Sequence, residues 1–572
     1  MQPGGTCGTI LACFFEAKTL KKSDSSPNDA NLDRRRFLQT GVLGAAAKVI
    51  HPAPGAARIV NVLSPVPEVN GFELDEVTID ALQEGMKSGK HTSRSIVEKY
   101  LYRIEEIDKS GPAINSVIEV NPDALEIAEG LDRERKEKGV RGPLHGIPLL
   151  LKDNIDTADK MMTTAGSLGL VGAPKPAKDS WVAGKLRLAG AVILGKTNLS
   201  EWANIRSNHS TSGWSGRGGL TRNPYALDRN PCGSSSGTGA GVSANLAAGG
   251  IGTETDGSIV CPSSANGLAG IKPTVGLVSR TGIIPISHSQ DGAGPMCRTL
   301  RDAALMLGAL TGVDAEDRYT ADSEGKSHAD YTQFLDVHGL KGARIGVARK
   351  YFGFSDGVDA IMAEAMDVMR KAGATLIDPA DIESFGKFDD SELLIMMYEL
   401  KADMEQYLAR RGPASPVKTL KDLIDFNDHN AQKEMSYFGQ DLFLKAQAKG
   451  PLTTREYIDA LEKNHRLTRV EGIDAVMDKF KLDALIAPTG GPAWITDLVN
   501  GDHFTGGSSN AAAVAGYPNI NVTAGWMFGL PVGISFFGRA WSEPTLLKLA
   551  YGFEQASVAR KAPRFLTSAN LD

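Results

Sequence analysis

The chain has 572 residues, of which 42% are hydrophobic and 23% are charged, a composition typical of a globular protein with a large buried core. Its net charge is −6 and its isoelectric point is about 6.0, so it lacks the basic character by which proteins bind nucleic acids. We therefore expect no nucleic-acid partner. Glycine is abundant, at 63 residues, which indicates many tight turns and close backbone contacts.

The cysteines are too few for a disulfide-stabilised scaffold and show no spacing typical of zinc ligands. The five are Cys7, Cys13, Cys232, Cys261 and Cys297. We accordingly expect neither a structural metal nor an essential disulfide, and the sequence predicts no cofactor.

Residues 1–57 differ in character from the rest of the chain. The segment DRRRFLQTGVLGAAAKVIHPAPGAA contains Arg34 and Arg35, then a short apolar stretch, and then Ala57, after which we expect cleavage. This order resembles a twin-arginine export signal. The apolar stretch is short and is interrupted by Lys48, so we expect no membrane span. The sequence predicts a periplasmic or secreted protein, with a cytoplasmic location as the alternative.

From residue 58 onward, segments with helical periodicity alternate with short apolar segments. In TSRSIVEKYLYRIEEIDKSG, apolar residues recur every three or four positions, which predicts a helix that begins after Thr92 or Ser93 and ends before Gly111. Further helices are predicted for PDALEIAEGLDRERKEKG and DAIMAEAMDVMRKAG, and strands for AINSVIEV, IPLLLKDNI, AVILGKT, GIGTET, ARIGVAR, ATLIDP, DALIAPT and LPVGISFFG. The alternation predicts an α/β fold with a mixed β-sheet covered on both faces by helices.

Neither an internal repeat nor a long linker divides residues 58–572, so we expect one large domain. Its glycine-rich core spans about residues 140–300, and a more helical, charged insertion spans about residues 316–451. We expect this insertion to form part of the route by which a substrate approaches.

The segment GTETDGSIVCPSS surrounds Ser258 with glycine and small polar residues, which suits a nucleophile whose oxyanion is held by backbone N–H groups. Such a serine needs a base. His145 and His288 lie in Gly/Pro-rich loops, where histidines are more often structural than catalytic.

Residues 233–237, GSSSG, match the G-x-S-x-G elbow of α/β-hydrolases. That elbow requires a preceding strand, and the preceding LTRNPYALDRNPC is a proline-broken loop, so we reject it.

A buried lysine is the alternative base. Lys152 follows the apolar strand IPLLL, and burial disfavours the ammonium form of a lysine, whose pKa in water is about 10.4. The carboxylate of Asp153 would stabilise the ammonium form and so oppose the effect of burial. Successive side chains of a strand point to opposite faces, however, so Lys152 and Asp153 need not be in contact. The residues alone leave two interpretations open: Lys152 is a base, or it is a buried lysine paired with Asp153.

Three further segments are informative when they are taken together: GPLHGIPLLLKDNI, the glycine- and serine-rich stretch from Asn230 to Thr274, and LPVGISFFG. Together they closely resemble the amidase signature family. The resemblance extends over about residues 72–555, and the family shows the same separation of 24 residues between its two catalytic serines as lies between Ser234 and Ser258.

This resemblance implies a Ser-Ser-Lys triad, with Ser258 as nucleophile, Ser234 as a relay serine joined to Gly233 by a cis peptide bond, and Lys152 as base. It also implies an oxyanion hole made of consecutive backbone N–H groups, those of Thr255, Asp256, Gly257 and Ser258. The implied activity is hydrolysis of amide bonds without a metal or cofactor.

The oxyanion segment departs from the G-T-D-T-G-G-S pattern expected of the family, because Glu254 replaces an aspartate and Asp256 replaces a glycine. A carboxylate beside a forming oxyanion is repulsive. We predict that the Asp256 side chain turns away or pairs with an arginine, with a plain turn residue as the alternative.

Segments such as SEWANIRS, GRGGLTRNPY and PTVGLVSRTGIIPISHSQDGAGPM are similar to those of bacterial peptide amidases and their plant relatives. The similarity implies removal of ammonia from the C-terminal carboxamide of a peptide. Two alternatives stay open: an amidase for aryl, fatty or small aliphatic amides, and an A-type subunit of a tRNA-dependent amidotransferase. We expect a monomer whose partner is a small peptide amide.

Overall fold

The computed structural model of the protein describes residues 69–570, so the leader predicted for residues 1–57 lies outside the described residues. Within them, strands β1 to β13 are, in chain order, Val117–Val120, Pro148–Lys152, Val192–Thr197, Trp214–Ser215, Gly219–Leu220, Gly249–Glu254, Ala269–Lys272, Gly292–Cys297, Arg344–Val347, Thr375–Ile377, Ala484–Pro488, Asn519–Met527 and Leu530–Phe537. Every strand that the sequence predicts is present among them.

Helices α1 to α16 of the described residues are Ile79–Lys87, Ser93–Arg103, Ala124–Lys138, Trp181–Leu188, Ser236–Ser243, Val260–Ala265, Leu300–Leu310, Asp356–Lys371, Asp389–Arg410, Leu420–His429, Ala431–Glu434, Asp441–Gln447, Arg455–His465, Asp474–Phe480, Asn510–Ala515 and Glu543–Ser557. The start of α2 confirms the predicted cap. The Thr92 hydroxyl accepts the Ser95 N–H at 3.0 Å, and the Ser95 hydroxyl accepts the Thr92 N–H at 2.9 Å. A π-helical turn at Ile104–Lys109 extends α2 to the predicted end.

Eleven of the described strands form one sheet in the order β1-β3-β2-β6-β8-β7-β12-β13-β11-β9-β10. The strands β3, β2 and β6 are parallel, as are β11, β9 and β10, and the other pairings are antiparallel. Every residue of β2, β3, β6 and β8 is buried. Because neighbouring side chains on a strand point to opposite faces, both faces of the sheet are covered, which confirms the predicted mixed α/β architecture.

The range 316–451 is only partly a helical insertion. Its first part holds β9, α8 and β10, which extend one edge of the main sheet. Its later part holds helices α9 to α12, and apolar side chains of α9, α10 and α12 pack against Trp202, Ile284 and Ile286 in loops around the centre of the chain. No helix within residues 69–570 is both long enough and apolar enough to cross a bilayer.

Candidate active site

Strand β2 carries Lys152 into the interior, where the side chain is fully buried. The Nζ atom donates hydrogen bonds to Ser234 Oγ at 2.7 Å and to Thr253 Oγ1 at 3.0 Å and the Thr253 carbonyl at 3.2 Å. Asp153 lies on the opposite face, where its carboxylate accepts hydrogen bonds from the Thr164 hydroxyl and the Gly166 N–H. The interpretation that Lys152 is paired with Asp153 is therefore wrong.

The environment of Lys152 favours its uncharged form. Burial lowers the pKa of Lys152 from 10.5 to about 7, although the negative charges of Asp291 and Glu254 oppose the effect. At pH 7 about half of these amines are therefore neutral, against about one in three thousand for a lysine in water. A neutral amine can accept the proton of a hydroxyl to which it is bonded.

Ser234 lies just before helix α5, and the Gly233–Ser234 peptide bond is cis, as the family resemblance implies. The close packing explains the glycine at this position. A Cβ atom on Gly233 would lie 2.1 Å from the Ser200 Oγ, which no real contact permits. The Ser200 N–H also donates to the Ser234 carbonyl at 3.1 Å.

Ser258 lies in the short loop between β6 and α6, and it is 8% exposed. Gly257 has a φ of +78°, a conformation that glycine adopts without strain. Among the described residues, the N–H groups of Thr255, Asp256 and Ser258 have no hydrogen-bond partner. The Gly257 backbone, by contrast, interacts with the Glu254 carboxyl.

Glu254 shapes this loop, a role that the sequence left undecided. Its Oε2 atom accepts the N–H of Ile259, the residue before α6, at 2.7 Å and that of Val260, the first residue of α6, at 3.0 Å. Burial raises the pKa of Glu254. The carboxyl thus holds the end of β6 and the start of α6 together on either side of Ser258.

The carboxyl of Asp256 does not pair with an arginine, the second of the two arrangements predicted for it. Its side chain interacts with Ser509, and the charged groups around it are Glu254, Asp389, Glu392 and Lys272. Burial raises the pKa of Asp256 to about 7. Burial thus favours the protonated carboxyl, and protonation lessens the repulsion that a carboxylate would exert on a nearby oxyanion.

Asp291, which precedes β8, joins the oxyanion loop to a neighbouring turn. Its Oδ1 atom accepts the Thr255 hydroxyl at 2.5 Å, and its Oδ2 atom accepts the N–H groups of Ile286 and Ser287 at 2.8 and 2.9 Å. Burial raises the pKa of Asp291 to about 6. Sequence reasoning missed this residue, although it lies in the segment SHSQDGAGPM, which resembles peptide amidases.

The two loop histidines have structural partners. Atom Nε2 of the buried His145 lies 2.9 Å from the Leu131 carbonyl. The Nδ1 of His288 contacts Asp403 at 2.8 Å, and its Nε2 lies 3.2 Å from Glu399. His288, Glu399 and Asp403 are the one group of side chains within residues 69–570 whose potential ligand atoms lie close enough together to hold a metal ion. They bond to one another, and neither histidine contacts Lys152 or the two serines.

The sequence predicts no essential disulfide, and the structure contains one bridged pair of cysteines among the described residues. Cys232 and Cys261 form a disulfide with their Cα atoms 6.1 Å apart, whereas Cys297 is a buried free thiol. The partners are 29 residues apart in sequence, and the packing of α5 against α6 brings them together. The sequence held one signal of this pairing, because one cysteine lies in each of the two serine-containing segments.

The site therefore combines a buried, partly uncharged amine, a serine hydroxyl bonded to it, a second serine in the adjoining loop, and backbone N–H groups without a partner among the described residues. On a large mixed α/β sheet, this combination suits acyl transfer to water, and the fold and site are those of an amide-hydrolysing enzyme.

Comparison with known proteins agrees with this class. The protein-family model described as Amidase matches residues 95–547, so the chain belongs to the amidase, or amidase signature, family. The native peptide amidase from Stenotrophomonas maltophilia is 49% identical, and the match covers 86% of this chain and 100% of that one, with a TM-score of 0.82. A probable amidase of Arabidopsis thaliana is 42% identical over 86% of this chain and 93% of its own length.

A relative with a different printed activity is also similar. The A-type subunit of glutamyl-tRNA(Gln) amidotransferase from Acinetobacter baumannii is 34% identical over 84% of this chain and 96% of its own length. Family membership thus establishes an amide-hydrolysing enzyme, and the particular substrate requires a further argument.

Proposed function

We propose that the protein hydrolyses the C-terminal carboxamide of peptides to the free acid and ammonia, through a triad of Ser258, Ser234 and Lys152. The observation that carries the proposal is the 2.7 Å contact between Lys152 Nζ and Ser234 Oγ, at a buried lysine whose pKa is about 7. A lysine that is charged or solvated could not serve as the base.

In the first step, Lys152 takes the proton of Ser234 while Ser234 takes that of Ser258, whose oxygen attacks the carboxamide carbon. The backbone N–H groups of Thr255, Asp256 and Ser258 stabilise the oxyanion. The proton then returns through Ser234 to the leaving nitrogen, the C–N bond breaks, and ammonia departs. Water attacks the resulting ester by the same relay, which releases the acid and restores Ser258.

The peptide substrate is supported by the 49% identity to a peptide amidase over the full length of that chain. The amidotransferase subunit is a more distant relative, at 34% identity. Restriction to the terminal amide requires a pocket that ends just beyond the leaving nitrogen, where a continuing chain would clash.

The decisive experiment incubates the purified chain with a peptide amide and, separately, with the corresponding free acid, and measures ammonia and product mass. We expect ammonia and the free acid from the amide, and no change in the free acid. Ser258→Ala abolishes turnover, whereas Ser263→Ala is the matched control, since its hydroxyl is on the helix that follows Ser258 and has no hydrogen-bond partner among the described residues. Full activity of Ser258→Ala would disprove the assigned nucleophile.

A substrate panel separates the alternatives. We expect kcat/KM for peptide amides to exceed that for aryl, fatty and short aliphatic amides by about tenfold or more, because a fitted pocket gains about 1 to 3 kcal/mol. A preference for anilides or short amides would instead identify the protein as an amidase for aryl, fatty or small aliphatic amides. Ammonia release by the purified chain alone argues against an amidotransferase subunit, whose work depends on partner proteins and tRNA.

We also propose export by the twin-arginine route and a monomeric mature enzyme. Arg34 and Arg35 support the first proposal. Cell fractionation of the full chain and of its Arg34→Lys/Arg35→Lys variant is the test, with periplasmic enzyme expected only for the unaltered leader. Light scattering of the purified enzyme tests the monomer, and a mass of twice the chain would contradict it.

A further inference from the structure

The disulfide between Cys232 and Cys261 joins the two segments that carry the serines. Cys232 is two residues before Ser234, and Cys261 is three residues after Ser258. Of the residues that the structure describes, these form the only disulfide. Both cysteines are buried, with 0% and 6% of their surfaces exposed.

Each end of the bridge is fixed to the backbone that leads to a serine. The Cys232 N–H donates to Asn230 Oδ1 at 2.8 Å, and the Cys232 carbonyl accepts the Ser236 hydroxyl at 2.6 Å. On the other side, the Cys261 N–H donates to the Gly257 carbonyl at 2.8 Å in the first turn of α6. A displacement of either sulfur is thus transmitted to the adjoining serine segment.

The two segments meet directly at a second point. The Ser235 N–H donates to the Ser258 carbonyl at 3.2 Å, which is a long hydrogen bond between neutral groups. A further hydrogen bond, from Asn266 Nδ2 at the end of α6 to the Pro231 carbonyl beside Cys232, measures 2.8 Å. Such bonds allow α5 and α6 to move relative to each other more than a covalent link does. The bridge and the Ser235–Ser258 bond lie on either side of Ser234 along the chain.

We propose that the Cys232–Cys261 disulfide is a positioning element that holds Ser234 and Ser258 in the register required for proton transfer, and that full turnover requires the disulfide to be formed. The inference rests on the proposed function, because it concerns the relay between those two hydroxyls. Proton transfer between hydroxyls needs oxygen atoms within hydrogen-bond reach, and a displacement of about 1 Å costs about a hundredfold in rate.

The chemistry of bridge formation is balanced by a disulfide oxidant. The two thiols lose two protons and two electrons as the S–S bond forms, and a reagent such as oxidised glutathione takes up both and becomes two thiols. Such oxidation occurs in the periplasm or outside the cell more readily than in the cytosol. The buried bridge is shielded from thiol reagents while the enzyme is folded.

The first test uses the full-length chain with both cysteines replaced, Cys232→Ala/Cys261→Ala, and Cys297→Ala as the matched control at a buried free thiol. Each is assayed on a peptide amide at a temperature at which circular dichroism shows it folded. We expect kcat of the double variant to fall by about tenfold or more, with KM within about twofold of the control. Labelling of Ser258 by an organophosphonate slows in parallel, a change that lower stability alone does not produce in folded enzyme.

The second test needs no substitution and applies also if the double variant fails to fold. The wild-type enzyme is reduced with dithiothreitol in mild denaturant, returned to buffer, and assayed before and after addition of oxidised glutathione. Activity is expected to be low in the reduced, refolded enzyme and to recover as mass spectrometry shows the bridge re-forming. Equal activity before and after oxidation, or free thiols at both positions in fully active enzyme, overturns the inference.

These outcomes are distinguishable from failure of the proposed function. If oxidised wild-type enzyme releases no ammonia from any amide, the proposed function is wrong. If the wild type is active and a folded double variant has the kcat of Cys297→Ala, only the positioning role is wrong.

Discussion

Replacement of Asp291 by asparagine tests whether the charge state of Lys152 sets the pH dependence of the enzyme. The negative charge of Asp291 raises the pKa of Lys152, which burial brings to about 7. Removing that charge lowers the pKa further. Because only the neutral amine is active, the acid limb of kcat/KM moves to lower pH, by on the order of one pH unit for the loss of one nearby opposite charge. At about pH 6.5 the fraction of Lys152 amines that are neutral then rises from about one quarter in the wild type to about three quarters in Asp291→Asn.

The assay is the pH profile of kcat/KM for ammonia release from a peptide amide, fitted to a single acid limb for each variant. Asp291→Asn also weakens the support of Thr255, so we expect a lower plateau together with the displaced midpoint. Thr255→Val is the comparison variant, since it removes the hydrogen bond that lowers the pKa of Asp291 but keeps the carboxyl group. It lowers the plateau and moves the midpoint downward by less than Asp291→Asn does, because the Asp291 carboxylate is still present over part of the pH range. A midpoint that is unmoved, or moved upward, in Asp291→Asn refutes the reasoning.

Four further results are expected. Lys152→Arg lowers kcat by about 10² to 10⁴-fold, measured by ammonia release, because an arginine cannot lose its charge at these pH values. Asp256→Asn increases kcat on the alkaline side of the pH profile relative to wild type, because burial raises the pKa of the Asp256 carboxyl and its ionisation at higher pH adds negative charge to the oxyanion loop; equal alkaline limbs would contradict this. Loss of the Cys232–Cys261 bridge lowers the free energy of unfolding by about 3 to 4 kcal/mol in denaturant titrations, as the closure of a 29-residue loop predicts. Treatment with EDTA leaves turnover unchanged, and loss of activity would require a metal-dependent mechanism.

The secondary structure followed from local patterns to a large extent. The predicted strand segments from AINSVIEV to LPVGISFFG match β1, β2, β3, β6, β9, β10, β11 and β13 in type and order, whereas β7, β8 and β12, which lie inside the main sheet, were not predicted. Boundaries depended on caps such as Thr92, where the side chains that satisfy the first N–H groups are encoded beside the helix. The organisation of residues 316–451 was less well predicted from the sequence. Strands β9 and β10 form an edge of the main sheet only because they pair with β11 and with each other.

The site was predictable where the sequence placed a residue at the end of a buried strand or inside a glycine-rich loop. Lys152 and Ser258 are of this kind. Glu254 and Asp291 are not, because their contribution arises from hydrogen bonds to Ile259, Val260 and Thr255, and the side-chain directions that make those bonds come from the folded loop.

The sequence by itself determined that this chain is an α/β protein with a buried lysine strand and two serines 24 residues apart, because periodicity, glycine content and spacing are properties of the chain alone. Tertiary structure decided the rest. It placed the Lys152 amine within hydrogen-bond distance of Ser234, which is 82 residues away in the sequence, and on the opposite face of the strand from Asp153. It also joined Cys232 to Cys261. Distances between separate segments, and the loss of water that shifts a pKa, exist only when those segments are packed together.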